Sequence, residues 1–327
     1  MPATETFASV DLGGTKIACA VAGRDGAIAA EAQVPTESHL GPAAVIERII
    51  GLVGDVAARA GRKPVAIGMG VPGLVDVRRG TALFLPNLPT QWRDIPVAGR
   101  ISAAIGCPVF LLNDARMATL GEFVFGRGRS AADMVLFTLG TGIGGGIVID
   151  GKLRLGPLGA AGELGHQTII PDGPLCGCGS RGCLETLSSG PAMVGAAVRL
   201  VQSGLAPLLY EMVAGNVAAI TPKEMGAAAR AGDAAVHDVI LRAATYLGIG
   251  IANIVTALHP GLVVLGGSVA GLGELLIDPV RATVRERVRM FPPGDVVIER
   301  SLLGDRAGLL GGIALAAGEA VARSINE

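Results

Sequence analysis

The sequence is poor in charge. Asp, Glu, Lys and Arg make up 17% of 327 residues, the net charge is −1, and the basic residues are scattered. That argues against a nucleic-acid surface, which needs a basic patch or stripe. From Ala243 to Gly273 these four residue types are missing altogether, over a run long enough to cross a bilayer, which takes about 20 apolar residues. His259-Pro260-Gly261 and Gly266-Gly267 break the run, however, and Leu247, Ile251, Ile254, Val255 and Leu258 trace one helical face. A core helix followed by a short buried strand, Leu262 to Leu265, is expected rather than a membrane span. The opening residues MPATETFASV lack the basic and apolar stretches of a secretory leader, so a cytoplasmic setting is expected. Cysteine is scarce, at five, yet three of the five fall in one short loop.

That loop is the most specific stretch of the chain. Cys176, Cys178 and Cys183 are spaced C-x-C-x4-C, with His166 just upstream. One histidine and three cysteines make the closed tetrahedral set of a structural zinc ion. Gly177, Gly179 and Gly182 let so short a loop wrap around it. A disulfide with a spare thiol is the alternative, disfavoured because Cys19 and Cys107 sit in apolar runs and a cytosolic cluster is more often metal-binding.

Three other stretches carry candidate chemistry. Phe7 to Val10 and Ile17 to Val21 read as a hairpin whose tip holds Asp11, Gly13, Gly14, Thr15 and Lys16. Glycines free the backbone amides for an anion, and Asp11 could hold a metal ion through water. The G-x-x-x-x-G-K spacing of a P-loop is absent. Gly140-Thr141-Gly142 forms a second glycine-rich turn between apolar runs, and Asp150-Gly151 marks a tight turn beyond it. Val109 to Leu112 is a buried strand ending in Asn113-Asp114, where open α/β sheets bind ligands. Asp114 either serves such a ligand or only caps the helix Ala115–Phe125. A helix is expected over Pro42–Ala60, with Val45, Ile46, Ile49, Ile50 and Val53 facing inward, and another over Gly308–Ala322. Phe84 to Leu88 and Trp92, the single tryptophan, read as loop. Val263-Val264-Leu265 running into Gly266-Gly267 is a second strand-to-glycine turn, a place where a nucleotide can lie against backbone. The order of elements is an α/β pattern.

Taken together, DLGGTK, LNDARMATLGE, TLGTGIGGG, GAAGELGH, CGCGSRGCLE and VLGGSVA resemble, in order and along essentially the whole chain, the ROK group of bacterial sugar kinases and regulators within the hexokinase–actin superfamily. The resemblance implies a two-domain α/β fold, hexokinase–actin-like (ribonuclease H-like), with a cleft between the domains. Residues 1–115 plus 310–327 would form one domain and residues 116–309 the other. It implies ATP with Mg²⁺ as phosphoryl donor, the structural zinc, and a sugar as substrate. Asp11 to Lys16 and Gly140 to Gly142 would be phosphate loops, and Gly266-Gly267 would lie by the adenosine. Asn113, Asp114, Glu163, His166 and Glu185 would bind the sugar, with Asp114 as catalytic base, and Gly73 and Asn87 would match weaker parts of the sugar site. If His166 gives one ring nitrogen to zinc, the other can donate to sugar.

The expectation is a glucokinase acting at C6, partnered by small molecules alone, with no nucleic acid and no membrane, as a homo-oligomer (dimer or tetramer). An N-acetylhexosamine kinase would share every residue named. A sugar-responsive repressor would carry a DNA-binding segment before the first phosphate loop, and here Asp11 follows the start at once. A polyphosphate-using kinase is disfavoured because no extra basic stretch flanks the phosphate loops.

Overall fold

The first strand of the chain pairs antiparallel with the second and parallel with the fourth, and this mixed ladder sets the fold. The computed structural model describes residues 5–318, apart from 87 and 91. In chain order the elements are β1 (Thr6–Leu12), β2 (Lys16–Gly23), β3 (Ile28–Pro35), α1 (Gly41–Ala60), β4 (Ile67–Val71), β5 (Leu74–Asp76), β6 (Thr81–Leu85), β7 (Trp92–Ile95), α2 (Val97–Ile105), β8 (Val109–Asn113) and α3 (Asp114–Phe125). Then come β9 (Met134–Leu139), β10 (Ile143–Ile149), β11 (Lys152–Leu153), α4 (Glu185–Ser188), α5 (Gly190–Gln202), α6 (Pro207–Met212) and α7 (Pro222–Arg230). The last are α8 (Ala234–Leu258), β12 (Leu262–Gly266), α9 (Glu274–Arg287), β13 (Val297–Arg300) and α10 (Ala307–Ala316).

The chain divides into two compact units. Unit 1 is Met1–Asp133, Gly146–Gly162 and Leu302–Glu327, and unit 2 is Met134–Gly145 and Glu163–Ser301. The boundary expected after residue 115 falls after the second residue of α3, and all of α3 belongs to unit 1. The reason is packing: α3 and α10 lie backbone to backbone, Gly121 against Ala307 and Gly311 against Met117.

In unit 1 the sheet order is β3-β2-β1-β4-β8, antiparallel at β3-β2-β1 and parallel at β1-β4-β8. α1 lays Val45, Ile46, Ile49, Leu52, Val53 and Val56 into the core, while Ile50 is half-buried. Of the stretch expected as a loop, Phe84 and Leu85 instead lie in β6 and Trp92 in β7 of a three-stranded antiparallel sheet, β5-β6-β7, while Pro86 and Leu88 lie outside the strands. Its Trp92 is buried in the same core as Leu85 and Ile101. Helix α10 ends at Ala316, short of the expected Ala322; residues 319–322 lie outside the described ones.

The second sheet has the order β11-β10-β9-β12-β13, parallel at β9-β12-β13 and antiparallel at β10-β11. Asp150 and Gly151 both adopt positive φ, 53° and 71°, at the turn between β10 and β11, the conformation a tight hairpin requires. In unit 2, α8 is long and apolar enough to cross a membrane by length and composition, yet half of that window is buried. Val236, Ile240, Leu247, Ile251 and Val255 form its buried stripe, at the spacing of one helical face. Leu258, expected on that face, is exposed, because the helix stops there with His259 in the left-handed region.

Candidate active site

In unit 1 the site residues gather at two places. The first is the carboxyl end of β8. Asn113 caps α3: its Oδ1 accepts from the Ala115 amide at 3.0 Å and the Arg116 amide at 3.3 Å. Capping satisfies helix amides that have no partner within the helix. Asn113 Nδ2 donates to the Gly73 carbonyl at 3.2 Å, which draws the expected Gly73 to the same place. Gly73 has φ 153°, and a Cβ there would lie 2.4 Å from the Phe84 carbonyl, so no side chain fits. Asp114 opens the helix, half-buried, with Oδ1 accepting from the Ala115 amide at 2.8 Å. The cap is therefore Asn113, and Asp114 is the first helical residue, so the capping role weighed for Asp114 belongs to its neighbour. Asn87 lies outside the described residues.

The second place is the β1–β2 turn. Gly14, Thr15 and Lys16 are exposed. Every carbonyl of the tip accepts a donor from the chain: Gly13 from Thr36 Oγ1 at 2.8 Å, Gly14 from Ser38 Oγ at 3.3 Å, Thr15 from the Thr36 amide and Lys16 from the Gly13 amide, both at 2.9 Å. With its carbonyls tied in, such a turn suits an anion on its amide side. Burial raises the Asp11 carboxyl above the ordinary carboxylate value, and the charge of Lys16 opposes the shift. Thr36 and Ser38 carry no signal in the sequence; only the fold brings them under the turn.

In unit 2 the donor atoms of His166, Cys176, Cys178 and Cys183 lie within 4.8 Å of one another. Cys178 Sγ is 3.7 Å from Cys183 Sγ, and Cys176 Sγ is 3.7 Å from His166 Nδ1. A tetrahedral ion with Zn–S bonds of about 2.3 Å sets its sulfurs about 3.8 Å apart. The four side chains therefore fit a structural zinc ion, and all five cysteines are unbridged. Burial, with the neighbouring sulfurs, pushes the Cys183 thiol up to about 12, whereas a backbone hydrogen bond from Ser180 lowers that of Cys178. Metal binding would have to displace those protons. His166 turns Nδ1 toward Cys176 and Nε2 toward Glu163, whose Oε2 is 3.8 Å away.

Glu185 joins this centre to the β9–β10 turn. Its Oε2 accepts from the Ile143 amide at 2.8 Å, and its Oε1 lies 4.0 Å from Cys176 Sγ. A Cβ on Gly142 would sit 2.4 Å from Glu185 Oε2. The expected reason for Gly142, close approach of a ligand phosphate, is thus joined by an internal one. Gly140 closes the turn by donating to the Gly142 carbonyl at 2.9 Å, and Thr141 is exposed at its tip. Gly266 ends β12, and Gly267, with φ 83°, packs on the Leu139 carbonyl at the end of β9.

A profile of the ROK family matches residues 7–319. This chain belongs to the ROK family. It is 38% identical over 312 residues to a glucokinase of Streptomyces coelicolor, covering 94% of this chain and 96% of that protein. A xylose repressor of Caldicellulosiruptor bescii is 34% identical over 276 residues, 82% of this chain and 68% of the repressor. Among solved structures, a ROK family glucokinase from Streptomyces griseus in complex with glucose and AMPPNP superposes with a TM-score of 0.83 at 36% identity, over 95% of this chain and 99% of that one. A ROK family transcriptional regulator also superposes, with a TM-score of 0.85 at 28% identity over 99% of this chain and 82% of that one, so the fold alone does not separate kinase from regulator.

Proposed function

We propose that the chain is a hexose kinase that moves the γ-phosphoryl group of Mg²⁺-bound ATP to the C6 hydroxyl of glucose. The observation that carries this reading is Asp114, a half-buried carboxylate at the carboxyl end of β8 beside the cap residue Asn113. Phosphoryl transfer to a hydroxyl needs positioning, charge neutralisation and a carboxylate to take the hydroxyl proton. In the proposed step Asp114 accepts that proton, the C6 oxygen bonds to the γ-phosphorus, and the bond to the bridging oxygen breaks to release ADP.

Asn113, Glu163, His166 and Glu185, with Gly73 and Asn87, hold the sugar. The β1–β2 turn from Asp11 to Lys16 and the β9–β10 turn from Gly140 to Gly142 hold phosphate, and Gly266-Gly267 lies by the adenosine. The zinc ion held by His166, Cys176, Cys178 and Cys183 orders its loop and supplies no Lewis acid. The glucokinases among the relatives support the choice of sugar. A homo-oligomer in a cytoplasmic setting belongs to the same proposal.

ADP release measured with glucose, mannose, N-acetylglucosamine and N-acetylmannosamine, each with Mg²⁺-ATP, tests the reading. The highest kcat/KM is expected for glucose. Preference for an N-acetylhexosamine would move the substrate within the same reaction, and no ADP above background with any hexose would overturn it.

A further inference from the structure

Arg116 is 1% exposed. A guanidinium taken out of water needs acceptors matched to its planar fork of donors. Here Nη1 donates to Asn113 Oδ1 at 2.9 Å, Nε to the Ala161 carbonyl at 2.9 Å, and Nη2 to the Ala160 carbonyl at 2.8 Å. All of these groups belong to unit 1.

Two consequences follow from this geometry. Asn113 Oδ1 receives the guanidinium as well as the two amides of the cap, so the amide oxygen is held on the helix side. Its amino group must then face Gly73, where it donates. Flipping the amide would set oxygen against the Gly73 carbonyl and an amino group against the guanidinium. Asn113 is therefore locked as a donor on its outer side, and the second hydrogen of Nδ2 has no partner among the described residues. The other consequence concerns the stretch before Glu163. The carbonyls of Ala160 and Ala161 end a turn-rich segment in which Gly156, Gly159 and Gly162 all have positive φ. Within that segment the Ala161 amide donates to Leu155 at 2.9 Å and the Gly159 amide to Gly156 at 3.3 Å. The guanidinium supplies two further, charge-assisted anchors at its end.

We infer that Arg116 is a positioning residue for sugar recognition: it fixes Asn113 as a donor toward a sugar hydroxyl and holds the Ala160–Ala161 backbone where the chain enters Glu163. The inference rests on the hexose kinase reading. Lysine cannot replace it, because one ammonium on a flexible stem cannot serve three acceptors in a planar fork.

The test uses the full-length protein with Arg116→Lys and Arg116→Ala. Arg116→Lys should raise KM for the sugar about tenfold while KM for ATP stays within about twofold, as the loss of well-aligned hydrogen bonds to one substrate's site predicts. Added guanidinium ion should lower the sugar KM of Arg116→Ala back toward wild type. Backbone hydrogen exchange over residues 155–162 should quicken in Arg116→Lys, with exchange in α8 unchanged. Equal rises in both Michaelis constants, or an unchanged sugar KM in a folded Arg116→Lys protein, would overturn the inference. Should both variants fail to fold, Asn113→Asp keeps the capping acceptors but sets an oxygen against Gly73. It should raise the sugar KM in the same way, and a wild-type sugar KM there would be equally fatal. Wild type without kinase activity, but with quickened exchange in Arg116→Lys, would end the kinase reading and leave the hold of Arg116 standing. Unchanged exchange would end the hold itself.

Discussion

In the β1–β2 turn the carbonyls from Gly13 to Lys16 are tied down by neutral donors, two of them the hydroxyls of Thr36 and Ser38. In the β9–β10 turn the brace is a carboxylate, Glu185, which reaches the Ile143 amide with one oxygen and approaches Cys176 with the other. Both turns read alike in the sequence, as glycines and a threonine between apolar strands. Their supports differ in kind. The first depends on side chains just past the end of β3, and the second is coupled to a metal loop. A glycine in such a turn can therefore answer to the protein's own carboxylate as much as to a ligand.

Removing the metal should separate the two turns most strongly. Chelation, or Cys178→Ser, should strip bound zinc and lower the melting temperature by on the order of 10 °C, since a closed Cys₃His site contributes folding energy directly. Sugar affinity should fall more than ATP affinity, because the β1–β2 turn keeps its supports. Metal analysis and calorimetry on one preparation check this, and a metal-free protein that binds sugar as tightly as the native form would end the coupling. Gly142→Val comes next. Its side chain displaces Glu185, so the sugar KM should rise about tenfold, the equivalent of about 1.4 kcal/mol, with a smaller rise for ATP. A change in the ATP constant alone would restore the simpler phosphate-approach explanation.

Thr36→Val sharpens the comparison from the other side. Losing one hydrogen bond, about 1 kcal/mol, should raise KM for ATP about fivefold and leave sugar and zinc binding as they were. The smallest effect concerns Asp11. A carboxyl pKa raised by burial means that the folded state disfavours the ionised form. That cost is present at neutral pH and vanishes as pH falls below the unfolded value. Asp11→Asn should therefore melt about 1–2 °C higher at pH 7 and no higher at about pH 3, while losing activity. Thermal melts at the two pH values decide it; a variant less stable than wild type at pH 7 would contradict the sign.

What could be read from the residues alone follows the range of the interactions. The zinc loop was legible because ligand type and spacing are local, and Asn113-Asp114 because a strand end announces itself. The support under Gly142 was not, since the carboxylate lies 42 residues beyond Ile143. Arg116 gave no signal of its own, because two of its three acceptors are 44 and 45 residues away. The stretch around Trp92 read as loop because Pro86 and a lone aromatic interrupt any alternation; burial of the indole in the unit 1 core is a tertiary effect. The domain boundary was drawn at the end of a strand, whereas close glycine packing between α3 and α10 decides where α3 belongs.

Asp114→Asn tests the chemistry most directly, because it preserves the Oδ1 acceptor that holds the Ala115 amide and removes only the carboxylate. If Asp114 takes the C6 proton, the variant will bind glucose and Mg²⁺-ATP with near-native affinity by calorimetry. Its turnover at saturating sugar will fall about 10²–10⁴-fold. Turnover close to wild type would contradict the assignment.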